Sequence, residues 1–159
     1  MLVLWTDMDI QASFNMKLPQ TSEDVKTEIL ISSDKASEVG DLRIRQLIKI
    51  LDKVDHEIVV DGVIKVFEAN RLNSLVQDQE FAGRILATIN PKSTRDLKEI
   101  IARTLVTWDK SIEQLPFWFR DNYGLENVRE TFNSLRLAGE EKEKLETMKF
   151  WLKLKSVSA

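Results

Sequence analysis

The sequence contains no cysteine and only one histidine in 159 residues. The absence of cysteine excludes disulfides, thiolate metal ligands and a cysteine nucleophile. With His56 alone, a two-histidine metal site cannot form within one chain, and a Ser-His-Asp triad could use no other base. Glycine-rich phosphate loops, nucleophile-elbow motifs and zinc-protease motifs are also missing. We therefore predict no catalytic, cofactor-binding or metal-binding residues, and a function that is not enzymatic.

Long hydrophobic runs are missing too. No stretch approaches the ~18 consecutive apolar residues of a transmembrane helix. The first ten residues carry Asp7 and Asp9 and lack a basic region, so they make a poor signal peptide. We expect a soluble cytoplasmic protein with no membrane partner.

The charge balance is mildly acidic, with 23 basic against 26 acidic residues and a formal net charge of -3. Such a chain has no overall field that attracts nucleic acid or an anionic membrane. Its 43% hydrophobic and 31% charged residues are ordinary for a globular protein, and its length favours one domain.

The N-terminal part predicts a β element over residues 1–32. Apolar side chains occupy even positions from Leu2 to Leu18, and an alternating pattern returns over residues 25–32. Apolar side chains at every second position are typical of half-buried strands. We therefore expect residues 8–18 to pair with residues 25–32 as a hairpin. The alternative is a short helix capped by Ser22. The open edge of such a hairpin could also support a homodimer.

A helical body is predicted over residues 41–155, after a polar linker. Apolar residues recur at helical spacing in six to seven short segments, joined by polar turns. The densest segment, residues 93–124, predicts two adjacent helices packed face to face at the centre of the core. The fold class is therefore mainly α, with an N-terminal β-strand or hairpin.

Residues 57–67 fit two structures. Asp61-Gly62 between β-branched residues is a hairpin signal, which would make the fold α+β with a second hairpin. Against this, Val59, Val63 and Phe67 share one helical face, and Asp55 is suited to cap a helix. We favour the helix, in which Gly62 costs about 1 kcal/mol relative to alanine unless a neighbouring helix crosses closely there.

The order of helices and short turns over residues 41–138 resembles HEAT and armadillo α-solenoids. The resemblance includes two similar helix starts, at Asp55 and Asp78, each with a glutamate two residues later. Their spacing departs from the roughly 40 to 47 residues of such repeats. The resemblance implies a curved scaffold that binds another macromolecule on one face. An irregular helical bundle is the alternative.

Four residues form the candidate partner-binding site: Phe117, Trp118, Arg120 and Asp121. Three consecutive aromatic residues, at 117–119, cannot all be buried by one helical face. If Phe119 points inward, Phe117 turns towards Arg120 and Asp121. An exposed aromatic ring beside arginine is typical of an interface hot spot. The alternative is that a crossing element covers Phe117 and Trp118.

A basic stripe of Arg45, Lys49 and Lys53 lies at four-residue spacing on one helix face. It could follow nucleic-acid phosphates or be an ordinary solvated surface. Asp52 and His56 could instead support a carboxylate- or metal-dependent enzyme. Our main prediction is a non-enzymatic protein-protein interaction module, such as an adaptor, an inhibitor or a regulatory subunit. The alternatives are a nucleic-acid-binding helical module and, third, such an enzyme.

Overall fold

The computed structural model describes residues 16–154, and that range contains nine helices and no strand. The helices, in chain order, are α1 (Ser22–Asp34), α2 (Ala36–Val39), α3 (Leu42–Leu51), α4 (His56–Ala69), α5 (Leu75–Ile89), α6 (Leu97–Thr104), α7 (Gln114–Tyr123), α8 (Leu125–Ser134) and α9 (Gly139–Trp151). The predicted helical body is therefore present. The predicted N-terminal β element is wrong, because its second half is helix α1.

Helix α1 begins with a capping box that the strand interpretation overlooked. The Thr21 hydroxyl accepts a hydrogen bond from the Asp24 amide at 3.1 Å, and the Asp24 carboxylate accepts from the Thr21 amide at 3.2 Å. A further amide hydrogen bond, from Gln20, lowers the pKa of Asp24. This reciprocal pairing satisfies amides that a helix start leaves free. Residues 8–15 of the predicted first strand lie outside the described residues, and residues 16–20 form no strand.

The buried face of α1 includes polar residues. The spacing of its apolar residues alone therefore does not show the helical period. Val25 and Ile29 are fully buried, and Glu28 and Ser32 are buried beside them. The Glu28 carboxylate accepts a hydrogen bond from Arg43 of α3 at 2.6 Å. A buried carboxylate needs such a partner. With residues 25–32 in a helix of the shared core, the predicted homodimer through a strand edge has no support within residues 16–154.

Residues 57–67 are helical, so the alternative second hairpin is wrong. Asp55 caps α4 by accepting from the Glu57 amide at 2.9 Å. A Cβ atom added to Gly62 would lie 2.5 Å from the Cβ of Val25 and 3.0 Å from the carbonyl oxygen of Ser22. Helix α1 therefore crosses α4 at Gly62, and only glycine permits this distance. The close crossing predicted as the condition for a helical Gly62 is confirmed.

The most extensive packing in the described chain joins α1 to α4. Helix α6 packs mainly on α4 and α8, whereas α7 packs on α5, α8 and α9. The predicted face-to-face pairing of helices within residues 93–124 is therefore not the centre of the core. Most apolar side chains of that segment are nevertheless buried, including Leu97, Trp108, Leu115 and Phe119.

The two helix starts behind the solenoid resemblance are not equivalent. Asp55 caps α4, but α5 begins at Leu75, so Asp78 lies inside the first turns of its helix. Asp78 is buried there rather than capping. The prediction that Asp78 starts a helix is therefore wrong, and the similar sequences at the two positions have different roles.

We expect Gly62→Ala to destabilise the protein. The added methyl group overlaps the Val25 side chain, and overpacking of this kind typically costs about 1–3 kcal/mol. The better helix propensity of alanine offsets about 1 kcal/mol of that cost. Urea unfolding followed by circular dichroism measures the difference in free energy.

A double variant separates steric overlap from other effects. Val25→Ala opens space opposite residue 62, so Gly62→Ala should cost less in that background than in the natural sequence. Gly83→Ala is the matched control, since its added Cβ would meet the Gln114 side chain at 3.1 Å, and it should cost less than Gly62→Ala. Equal costs in both Val25 backgrounds would show that the crossing does not require glycine.

Candidate protein-binding surface

The four residues of the candidate partner-binding site lie on α7, but they do not share one environment. Trp118 is only 3% exposed, and its indole N–H donates to the carbonyl of Pro91 at 2.8 Å. Phe117 is half-buried, with the Arg120 guanidinium 4.9 Å from the centre of its ring. Arg120 and Asp121 are exposed and paired at 3.0 Å. The surface part of this site is therefore Phe117, Arg120 and Asp121, and partner binding there stays a prediction.

Arg45 and Lys49 of the basic stripe lie on α3, whereas Lys53 lies beyond the end of that helix at Leu51. Arg45, Lys49 and Lys53 are all exposed, and Arg45 pairs with Asp41 at 3.1 Å. Asp41 also accepts from Arg84 of α5 at 3.0 Å, and the hydrogen bond from Arg84 lowers the pKa of the Asp41 carboxyl. Part of the positive charge of the stripe is thus neutralised by a carboxylate, which weakens its attraction for phosphates.

His56 occupies a structural position at the start of α4. Its Nδ1 atom accepts a hydrogen bond from the Lys92 amide at 3.1 Å, which ties the turn before α6 to this helix. Helix α3 ends at Leu51 and α4 begins at His56, so no continuous helix places Asp52 and His56 one turn apart. Within residues 16–154, no group of three histidine, aspartate or glutamate side chains is placed to hold a metal ion.

A charged cluster joins the turn before α5 to α1. Arg71 donates two hydrogen bonds to the Asp78 carboxylate, at 2.6 and 2.9 Å, and also pairs with Asp34 at 3.0 Å. The hydrogen bonds to Asp78 raise the pKa of Arg71 above its ordinary value. Because the Asp78 side chain is only 2% exposed and fully engaged, this cluster fixes helices rather than offering a reactive group.

The outward face of α9 carries an aromatic side chain that sequence analysis missed. Phe150 is 73% exposed, whereas Leu145 of the same helix and Leu152, which follows its last residue, are buried. The Phe150 ring packs edge to face on Trp151, with 5.7 Å between centroids. The Trp151 indole N–H donates to the carbonyl of Lys110 at 3.0 Å. The signal in the sequence was an aromatic residue lying off the apolar stripe of its own helix.

A hydrogen-bonded glutamine holds the loop on which Trp151 rests. The side chain of Gln79, on α5, is fully buried. Its amide nitrogen donates to the carbonyl of Thr107 at 2.7 Å, and its oxygen accepts from the Asp109 amide at 2.7 Å. The loop at 105–112 is thereby fixed to α5, so the position of Trp151 against Lys110 depends on contacts remote in sequence.

Two clefts flank α9. The first, which we call the loop cleft, has a volume of about 360 Å³ and lies between the 105–112 loop and one side of α9. Its lining includes Leu75, Val106, Lys110 and Lys144, and the Lys144 ammonium donates to the carbonyl of Val106. Lys144 is the residue that α9 contributes to this cleft, six residues before Phe150.

The second cleft, which we call the α8–α9 cleft, has a volume of about 330 Å³ and lies on the other side of α9. Its apolar lining consists of Phe132, Leu135, Leu137 and Leu145. Its charged residues are Arg136, Lys142, Glu146 and Lys149. The cleft thus combines an aliphatic floor with an edge that is mostly basic.

Comparisons with protein families, with curated proteins and with solved structures give no match to this chain. None of the helices in residues 16–154 combines the length and the apolar character that crossing a bilayer requires. The cytoplasmic location stays a prediction from the sequence.

We expect Arg71→Ala to destabilise the protein by about 3–5 kcal/mol, because it leaves the buried Asp78 carboxylate without its partner. Arg129→Ala is the matched control. It removes an exposed pair with Glu126, and pairs of that kind contribute at most about 1 kcal/mol. Chemical unfolding of both variants measures the contrast, and similar losses would contradict a buried ion pair at Asp78.

Proposed function

We propose that this protein is a non-enzymatic protein-protein interaction module, acting as an adaptor, an inhibitor or a regulatory subunit. The observation that carries the proposal is the exposure of Phe150 on α9, a helix that contributes side chains to two clefts. Aromatic rings exposed to this extent are typical of protein contact sites.

The geometry around Phe150 supports a preformed contact. Trp151 is held by its hydrogen bond to Lys110, and its ring supports the Phe150 ring from one side. Less side-chain entropy is then lost when a partner covers Phe150, which favours affinity. The exposed part of the α7 site, Phe117 with Arg120 stacked on it, is a second contact in this proposal.

The roles of the polar groups also favour binding over catalysis. His56 is engaged by a backbone amide, and Arg71 and Asp78 connect helices. In the described part of the chain, many packed helix pairs are adjacent or next but one in sequence order, whereas the most extensive packing joins α1 to α4. We include the HEAT-like scaffold in the proposal, with α9 at the end that presents the contact surface.

Phe150→Ala should remove partner binding and leave the fold intact, because the side chain is exposed. We expect an affinity loss of about 30-fold or more, as for an interface hot spot. The measurement is affinity capture from cells that encode the protein, followed by titration of the captured protein. Circular dichroism and thermal unfolding of the variant check the fold.

Leu72→Ala is the control for a general loss of exposed apolar surface, since Leu72 is 84% exposed on the turn before α5. It should leave the captured protein bound. Arg120→Ala tests the α7 contact separately, and we expect a smaller loss there. Capture that is the same with Phe150→Ala as with the natural sequence would contradict the proposal.

A further inference from the structure

We infer that the α8–α9 cleft binds an acidic segment of a partner protein and takes one of its apolar side chains. The inference rests on the proposed function and identifies the chemistry of the partner. It follows from an aliphatic floor and a basic edge in the same cleft, next to the exposed Phe150.

The floor of the cleft suits an aliphatic or aromatic side chain. Leu135 and Leu137 are only partly buried and line the opening, while Leu145 is buried beneath them. A volume of about 330 Å³ is at the small end of ligand pockets. It has room for a single anchoring side chain and its neighbours rather than for a whole folded element. Such anchors, inserted into apolar pockets, supply much of the energy in protein interfaces.

The charges at the edge select the residues that flank this anchor. Three basic side chains surround the cleft, against the single carboxylate of Glu146. Lys149 is 8% exposed and pairs with Glu146 at 3.3 Å. Lys142 is exposed, and Arg136 donates to the carbonyl of Asn133 at 2.9 Å. The excess of positive charge beside a low-dielectric floor favours aspartate or glutamate next to the anchor.

The same features favour a protein over a nucleic acid as the occupant. Single-stranded nucleic acid is held by aromatic rings on which bases stack. The one aromatic residue of this cleft, Phe132, is 1% exposed and offers no ring face. On α9, Phe150 lies four residues after Glu146 and directly after Lys149, and both of these line the cleft. A peptide bound in the cleft therefore has a second apolar contact at Phe150.

The test uses a library of random twelve-residue peptides displayed on phage. Selection is carried out on the full-length protein, with prior depletion on the Lys142→Glu variant, so that only peptides depending on this edge are kept. We expect the selected peptides to share an aliphatic or aromatic residue flanked by aspartate or glutamate. Selected sequences that are neutral or basic, or the absence of any shared sequence, would overturn the inference.

The affinity of one selected peptide, synthesised with a fluorescent label, is then measured by anisotropy. We expect Lys142→Glu and Arg136→Glu each to weaken binding at least about tenfold, because each places like charges together. Lys49→Glu is the matched control. It makes the same charge change at an exposed position on α3, which packs on α1, α2 and α5, and should leave the affinity unchanged. Equal weakening by the control would overturn the inference.

A small anionic amphiphile is the other ligand chemistry that the cleft could accept. Decanoate is the probe for it, measured by competition with the labelled peptide. Displacement of the peptide only at decanoate concentrations far above the peptide dissociation constant supports the inference, whereas decanoate binding that depends on Lys142, with no selected peptide, overturns it. Failure here leaves the proposed function intact if capture still depends on Phe150, so the two failures are distinguishable.

Discussion

The crossing of α1 over α4 at Gly62 is the contact on which the arrangement of the other helices depends. Because position 62 has no side chain, Val25 approaches the α4 backbone closely, and α1 buries Val25 and Ile29 completely. From this position α1 also reaches α3, through the pair of Glu28 and Arg43. The N-terminal helix is therefore part of the core and not an appendage to it.

Buried polar side chains extend this core towards the C-terminus. Arg71 connects α1 to α5 through Asp34 and Asp78. Gln79, on the same α5, fixes the loop that supports Trp151. Asp78 and Gln79 are buried, Arg71 is half-buried, and all three are engaged by hydrogen bonds, as buried polar groups must be. Their hydrogen bonds hold the helices in position, and the exposed aromatic ring of α9, which takes no part in these contacts, is the surface we propose for recognition.

The helices after residue 41 could be predicted because local signals specify them. Apolar side chains at helical spacing mark α3 and α6, and the aspartate at position 55 marks the start of α4. The same reasoning failed for α1, whose stripe includes Glu28 and Ser32. A glutamate is a plausible core residue only when Arg43 is known to lie opposite it, fifteen residues away. An alternating strand and a helix with a polar stripe were both compatible with the local sequence.

The candidate binding surfaces could likewise be predicted only in part from the sequence. The sequence singled out Phe117 and Trp118 because consecutive aromatic residues cannot all face inward, but which ring is covered depends on where the chain at Pro91 lies. The exposure of Phe150 likewise depends on how α9 is seated.

By itself, the sequence determined that most of this chain is helical, that a helix begins after Asp55, and that no familiar catalytic motif is present. Capping and side-chain periodicity act over a few residues and can be read directly. The tertiary structure alone decided that the buried face of α1 includes Glu28 and Ser32, that α6 and α7 do not form the centre, and that a basic-edged cleft lies between α8 and α9. Those outcomes depend on contacts between residues far apart in sequence, whose free energies no local pattern contains.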